Sequence, residues 1–475
     1  MRFQTKHMNL LYKSWATWLK IAAMAVFCVA FSAVQANAQS LLRDTEIEET
    51  LREFTNPILR AGRLNPSSVD IYLVNDPSLN AFVTRGQNIF LHSGLILAAD
   101  TPNQLKGVIA HETGHITGGH IVRSDYGNRS SYGAILIAAG IGLAAILAGE
   151  GQAGALVLGG SQQFGALEAL SYSRVNEAAA DQYAFNYMES TGQSAEGLIK
   201  FFEKFRAQEV LSQARRYPYF RGHPLSADRI DALRERVRDS EFTEVKDTPE
   251  ELHKHAMMQA KLRGFLNGPA EVYSRFPLSD QSKPARYARA VANFKQADLR
   301  NAVKEINSLI EDEPDNAYFH ELKAQILYES GQGTDAIEPA KRALELRPDS
   351  PLLEIALAQA TLETRDSGEF TKVVNLLKSA LETEPSNSYG WYLLADVYER
   401  QGNTALAQYA TAERFYALGD IQSARSFAQR AQEELPRTLP QWRRASDIIV
   451  VSETQLASKR RRRGPKPFTS SFTAR

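Results

Sequence analysis

The chain has 475 residues, with 55 basic and 55 acidic side chains, 43% hydrophobic and 23% charged residues. That length exceeds a single domain, and the composition suits packed cores and excludes wholesale disorder. A formal charge of zero gives no global pull toward nucleic acid or toward an acidic ligand.

Arg2, Lys6, Lys13 and Lys20 accompany an apolar stretch at 21–33, and no acidic residue precedes Asp44. Ala36-Asn37-Ala38 fits a small-x-small cleavage site, so residues 1–38 read as a secretory signal peptide with Gln39 as the first mature residue. The alternative, an uncleaved anchor, has an apolar run short of the ~20 residues that a span needs. Cleavage leaves 51 basic against 55 acidic residues and removes Cys28, the only cysteine. Phe27 before it is not the small residue that lipid attachment would need. A mature chain without thiols avoids oxidation outside the cytoplasm.

Residues 43–65 pattern as an amphipathic helix and turn, and 68–74 alternate like a strand. In 80–92, Phe82 and Val83 are separated from Ile89, Phe90 and Leu91 by Arg85-Gly86-Gln87-Asn88, a hairpin signal. The stretch 88–91 reads as a sheet edge on which an extended peptide can pair. Residues 95–99 and 102–122 are predicted helices. The fold class is therefore α+β, mostly helical, with a small sheet beside the second of these helices.

That helix carries His111-Glu112-Thr113-Gly114-His115. Residues four apart share one helix face. Two neutral imidazoles so placed can grip zinc, and Glu112 stands where a carboxylate can take a proton from water. Two solvated histidines would show the same spacing, but the apolar run 105–110 leads into the motif as a buried helix should.

A hydrolytic zinc site wants a third protein ligand. His120 follows Gly118, yet in a His-Glu-x-x-His-x-x-Gly-x-x-His pattern the third histidine falls at Ile121, so His120 fails that spacing. Glu177 and Asp181, one helical turn apart in 168–189, offer a carboxylate ligand and a second carboxylate to orient a ligand histidine. The intervening alanines allow close helix packing. Between these motifs, 133–160 is rich in Gly and Ala. Six glycines from 133 to 154 suggest a buried hairpin or a membrane-touching flap rather than a span. Helices follow at 194–214 and 227–239, with a loop at 217–224 between them.

From about 270 the chain reads as helical hairpins. Glu313-Pro314-Asp315, Arg347-Pro348-Asp349 and Glu384-Pro385-Ser386 recur at spacings of 34 and 37. Small residues such as Ala336, Ala340 and Ala343 stand where helices would touch. This is the tetratricopeptide period, and such stacks bind peptides or protein segments. The tail from 456, with Lys459-Arg460-Arg461-Arg462-Arg463, reads as a disordered basic extension, either solvated or touching anionic lipid or an acidic partner.

The His-Glu-x-x-His segment, Asn176-Glu177-Ala178-Ala179-Ala180-Asp181, and Gly222-His223-Pro224 with Arg229 resemble, in that order, the HtpX/BepA-type zinc metalloproteases of the gluzincin group. The export signal and the repeats make the chain most similar to the periplasmic BepA-type members. The resemblance implies one zinc per chain, held by His111, His115 and Glu177, with Glu112 as general base and Asp181 as partner of a ligand histidine. It implies that His223 is either a fourth ligand keeping the resting enzyme latent or a donor to the oxyanion, with Arg229 supporting it or the oxyanion. It further implies a periplasmic endopeptidase of outer-membrane protein quality control, acting on unfolded or stalled β-barrel precursors, its repeats docking to the assembly machinery. The rival reading is a tetratricopeptide chaperone or adaptor with a latent protease site. The expected domains are a protease at 39–260 and repeats at 270–455.

Overall fold

The computed structural model describes residues 40–120, 174–211, 223 and 226–462. The expected signal peptide, the Gly/Ala-rich segment 133–160, Gly222, Pro224 and the tail beyond 462 lie outside the described residues.

Four short strands form one sheet: β1 (Ser40–Leu42), β2 (Asp70–Asn75), β3 (Ala81–Thr84) and β4 (Asn88–His92), in the order β1-β2-β4-β3. β1 is antiparallel to β2, β2 parallel to β4, and β4 antiparallel to its hairpin partner β3. This corrects one expectation. β4 lies inside the sheet, so 88–91 cannot accept a peptide, and the edge strands are β1 and β3. The cause is visible in Ile89-Phe90-Leu91, which does not alternate: every residue of β4 is buried, as in a strand covered on both faces. Phe90 stacks on Tyr72 and Phe82 of the flanking strands, both at 4.9 Å between centroids.

Helix α1 (Thr45–Ala61) starts at Asp44, whose carboxylate accepts from the Ile47 N–H, and buries Ile47, Leu51, Phe54 and Ile58 at helical spacing. After the short α2 (Ser93–Ala98), helix α3 (Pro102–Thr117) is capped by the Thr101 hydroxyl. Pro102 stands in its first turn, where no N–H is needed. Helices α4 (Arg174–Ser190) and α5 (Glu196–Leu211) pack on α3, and α6 (Ala227–Arg238) packs on α4 and α5. One apolar core joins Leu51 and Phe54 of α1, Ile89 and Leu91 of the sheet, Leu105, Val108 and Ile109 of α3, Met188 of α4, Phe202 of α5 and Ile230 of α6. Each such side chain contributes about 1.5–3 kcal/mol on burial, so α3 is fixed from several sides. Gly114 lets α4 approach it closely. A Cβ there would lie 2.9 Å from the Ala180 carbonyl oxygen and 3.0 Å from Tyr183 Cβ.

Helix α7 (Pro249–Leu266) leads through α8 (Pro269–Arg275) into successive helices that pack each on the next: α9 (Lys283–Lys295), α10 (Leu299–Asp312), α11 (Ala317–Glu329), α12 (Gly333–Leu346), α13 (Pro351–Leu362), α14 (Phe370–Thr383), α15 (Ser388–Arg400), α16 (Thr404–Ala417), α17 (Ile421–Glu434) and α18 (Pro440–Arg462). The turns at Pro314, Pro348 and Pro385 separate these helices as the sequence period requires, and Ala336, Ala340 and Ala343 are buried. Among the described residues no helix is long and apolar enough to cross a membrane.

Two expectations about boundaries change. The sequence places the tail from 456, but α18 continues to Arg462. Its inner face, Ala445, Ile448 and Ser452, is buried, and Lys and Arg are good helix formers favoured at a helix C-terminus. The other change is at 260, which is not a clean end: α7 crosses it, with Met258 and Leu262 in the core around α3 while Met257 belongs to the core of the first repeats.

Polar contacts reinforce that junction. The buried Lys261 ammonium lies 2.7 Å from Asp44, 3.4 Å from Glu46 and 3.6 Å from Glu321 of α11. The Tyr287 hydroxyl of α9 donates to Glu46 at 2.7 Å, and Arg43 bridges Glu48 at 2.6 Å and Glu384 at 2.5 Å. Three carboxylates thus face one ammonium out of water, and burial pushes Glu321 up to about 7 despite Lys261.

Candidate metal centre

Helix α3 supplies His111, Glu112 and His115, α4 supplies Glu177 and Asp181, and His223 and Arg229 come from the chain before and within α6. His111, Glu112 and Glu177 have no solvent exposure, and His223 has 2%. One donor atom from each of His111, His115, Glu177 and His223 lies within 4.8 Å of the others.

The spacings are specific. His111 Nε2 is 3.1 Å from His115 Nε2, 3.4 Å from Glu177 Oε2 and 3.3 Å from His223 Nδ1. Glu177 Oε1 is 3.3 Å from His115 Nε2 and 3.2 Å from His223 Nδ1. Four donors held tetrahedrally by arms of about 2.0–2.2 Å stand roughly 3.3–3.6 Å apart, the zinc geometry for nitrogen and oxygen ligands. The residues therefore fit a single metal ion. Both Glu112 oxygens are buried without a hydrogen bond, an arrangement that an apolar core would not sustain unless the carboxylate had a task beside a cation or water.

The surrounding groups orient the donors. Asp181 Oδ1 lies 2.9 Å from His111 Nδ1, so this nitrogen carries the proton and Nε2 turns its lone pair to the centre. Arg229 grips Asp181 with two nitrogens, at 2.6 and 2.8 Å, and reaches Glu177 Oε2 at 3.0 Å, while its guanidinium lies over the Phe202 ring. The expected support for His223 or an oxyanion gives way to a different placement, because these carboxylates fix the guanidinium behind the ligand set.

Environment divides the acids. Burial raises Glu112 in spite of His223 and His111. Burial would also raise Glu177 and Asp181. The imidazoles of His223, His111 and His115 instead hold Glu177 well below the usual carboxylate range, and Arg229 and His111 lower Asp181. Burial thus favours the neutral form of Glu112, whereas the bonded imidazoles and guanidinium favour the anionic forms of Glu177 and Asp181.

One participant escaped the sequence reading. His120, rejected there as a ligand, lies buried with its Nδ1 2.9 Å from His115 Nδ1. Gly119, at φ +63°, turns the chain at the end of α3 so that the ring folds back on its neighbour. His120 thereby matches for His115 what Asp181 does for His111. The signal was the Gly118-Gly119-His120 ending, which reads as a turn rather than as a failed ligand motif. His120→Ala is expected to weaken metal binding about 10–100-fold with the fold retained. Competition with a metal indicator dye reads this directly, and unchanged affinity would assign His120 to packing alone.

A buried His-Glu-x-x-His helix, a carboxylate from a second helix and a general-base candidate between them define a metallopeptidase. The chain belongs to peptidase family M48, whose profile matches residues 42–237, and tetratricopeptide repeat profiles match 287–351 and 376–409. The beta-barrel assembly-enhancing protease of Escherichia coli (strain K12) is 26% identical over 385 residues, covering 77% of this chain and 74% of that protein. A putative beta-barrel assembly-enhancing protease of Vibrio cholerae serotype O1 is 26% identical over 395 residues, covering 82% and 80%. Metalloprotease LoiP of Escherichia coli (strain K12) is 31% identical over 194 residues, covering 41% of this chain and 72% of that protein.

Proposed function

We propose that this chain is an exported, periplasmic zinc endopeptidase that cleaves unfolded or misassembled envelope proteins, with an N-terminal protease domain and a C-terminal partner-docking repeat domain that meet along α7. The observation that carries the reading is the buried cluster of His111, His115, Glu177 and His223 with Glu112 beside it.

A zinc ion held by these donors supplies a Lewis acid for the scissile carbonyl and for the attacking water. Glu112 takes the proton of that water and later delivers it to the leaving amine. Asp181 and His120 keep the two ligand imidazoles in the productive tautomer, and Arg229 holds Asp181 and Glu177 in place. The substrate lies extended along the outer edge of β3, beside α3, where backbone pairing gives affinity with little demand on sequence. That tolerance suits unfolded chains. The relatives named beta-barrel assembly-enhancing proteases support β-barrel precursors as substrates and the outer-membrane assembly machinery as the partner of the repeats.

A second reading, an adaptor whose protease site rarely opens, draws on His223. Its Nδ1 joins the donor cluster while its Nε2 lies 3.5 Å from Glu112 Oε1, so the ring stands where the water would be. Metal content and casein cleavage separate the two. The proposal expects one zinc per chain, loss of cleavage on chelation and its return with zinc. A zinc-loaded chain that never cuts casein, even with His223 removed, would leave the adaptor.

A further inference from the structure

At the seam between α1 and the first repeats, charge does not balance. The Lys261 ammonium, 1% exposed, meets Asp44 at 2.7 Å, Glu46 at 3.4 Å and Glu321 Oε2 at 3.6 Å. With all four groups ionised, two negative charges would be left over in a space largely closed to water. Burying a charge without a counter-charge is costly, and a buried carboxyl responds by keeping its proton. The contacts single out one carboxyl. Asp44 takes the closest approach of the ammonium, and its other oxygen accepts from the Ile47 N–H. Glu46 accepts from the Tyr287 hydroxyl of α9. Glu321 of α11 has the ammonium at the greatest distance. Its Oε1 accepts from the Thr45 hydroxyl, but Oε2 is buried without a hydrogen bond. The neighbouring cations bring no relief. Arg43 is held by Glu48 and Glu384, and Arg347 by Glu49, which also accepts from the Tyr318 hydroxyl.

We propose that this seam is a proton-operated clamp: Glu321 keeps a proton while α9 and α11 are docked on α1, and losing that proton loosens the dock. Burial raises Glu46 as well as Glu321, the latter to about 7, whereas a solvated glutamate titrates near about 4.3. The docked form therefore binds the proton more tightly than the separated form. Docking is strongest below the usual carboxylate range and weakens as the pH rises through about 7. Because α1 packs on α3, a rise in pH would slacken the hold of the repeats on the helix that braces the metal-bearing one.

Amide hydrogen exchange of the full mature chain tests this, read in α9 and α11 at about pH 5 and pH 8, with intrinsic rates corrected and α16 as the internal reference. The opening equilibrium at the seam should be about seventyfold larger at the higher pH, while α16 changes little. Glu321→Gln keeps the shape and removes the titrating group, so its seam should vary less than about threefold between the two conditions. Infrared spectra give a readout that packing alone would not move. The parent chain should lose a protonated-carboxyl band between about pH 6 and pH 8 that Glu321→Gln lacks. A seam that opens equally at both pH values overturns the proposal, as does an equal pH response in α16, which would be global unfolding. An unchanged response in Glu321→Gln also overturns it. Should that variant fail to fold, the parent chain's response relative to α16 still decides. No cleavage is measured, so the outcome is separate from that of the proposed peptidase function.

Discussion

Glu112→Gln is expected to cut casein at least about a hundredfold, and up to about ten-thousandfold, more slowly than the parent chain, with zinc content and melting temperature unchanged. The carboxamide keeps the volume of a side chain packed without solvent exposure between α3 and α4. It lacks the basic oxygen that burial has made more avid for protons. Because one group accepts and then returns the proton, both halves of the reaction fail together. Glu112 does not belong to the four-donor cluster, so the metal should stay. Initial rates at matched zinc loading decide the matter, and near-parental cutting would remove Glu112 from the role of base.

His223→Ala is expected to move activity in the opposite direction. The imidazole presents Nδ1 to His111 and Glu177 at 3.3 and 3.2 Å and Nε2 to Glu112. In that position it fills the space between the metal donors and the base. Its removal opens the fourth position to water. If the closed form holds nine chains in ten, basal cleavage should rise about tenfold, and the chain should begin to cut itself. An oxyanion donor at the same residue would instead slow turnover by about 10²–10³ when removed. A clear fall in casein rate with zinc retained would therefore exclude the latch as the dominant role.

The candidate site is legible in the sequence where it is local. The pairs His111 and His115, and Glu177 and Asp181, are each one turn apart, and helical geometry alone puts each pair on one face. The Pro-containing turns declared the repeats in the same way. What stayed hidden depends on long-range placement or on one backbone angle. His120 returns to His115 only because Gly119 takes a positive φ. The resemblance places Arg229 beside His223 or the oxyanion, but its partners Asp181 and Glu177 lie about fifty residues earlier in the chain. The hairpin of β3 and β4 is legible in its turn residues, whereas the interior place of β4 is marked by the unbroken apolar run Ile89-Phe90-Leu91, which a sheet edge would not carry. Helix α18 outran its expected end because a run of Lys and Arg was read as solvation rather than as helix propensity.

The junction at Lys261 bears on how such a chain can be rebuilt. Asp44 and Glu46 begin α1, which packs on α3, while Tyr287 and Glu321 lie in the first repeats, and one ammonium out of water ties them. A repeat stack transplanted from a relative would leave carboxylates stranded in the interior unless all five side chains travelled together. Modular exchange, the usual attraction of tetratricopeptide arrays, is therefore closed at this seam and open only further along the stack. The same seam is a path for force: a pull on the repeats reaches α1 through Lys261, and α1 packs directly on α3.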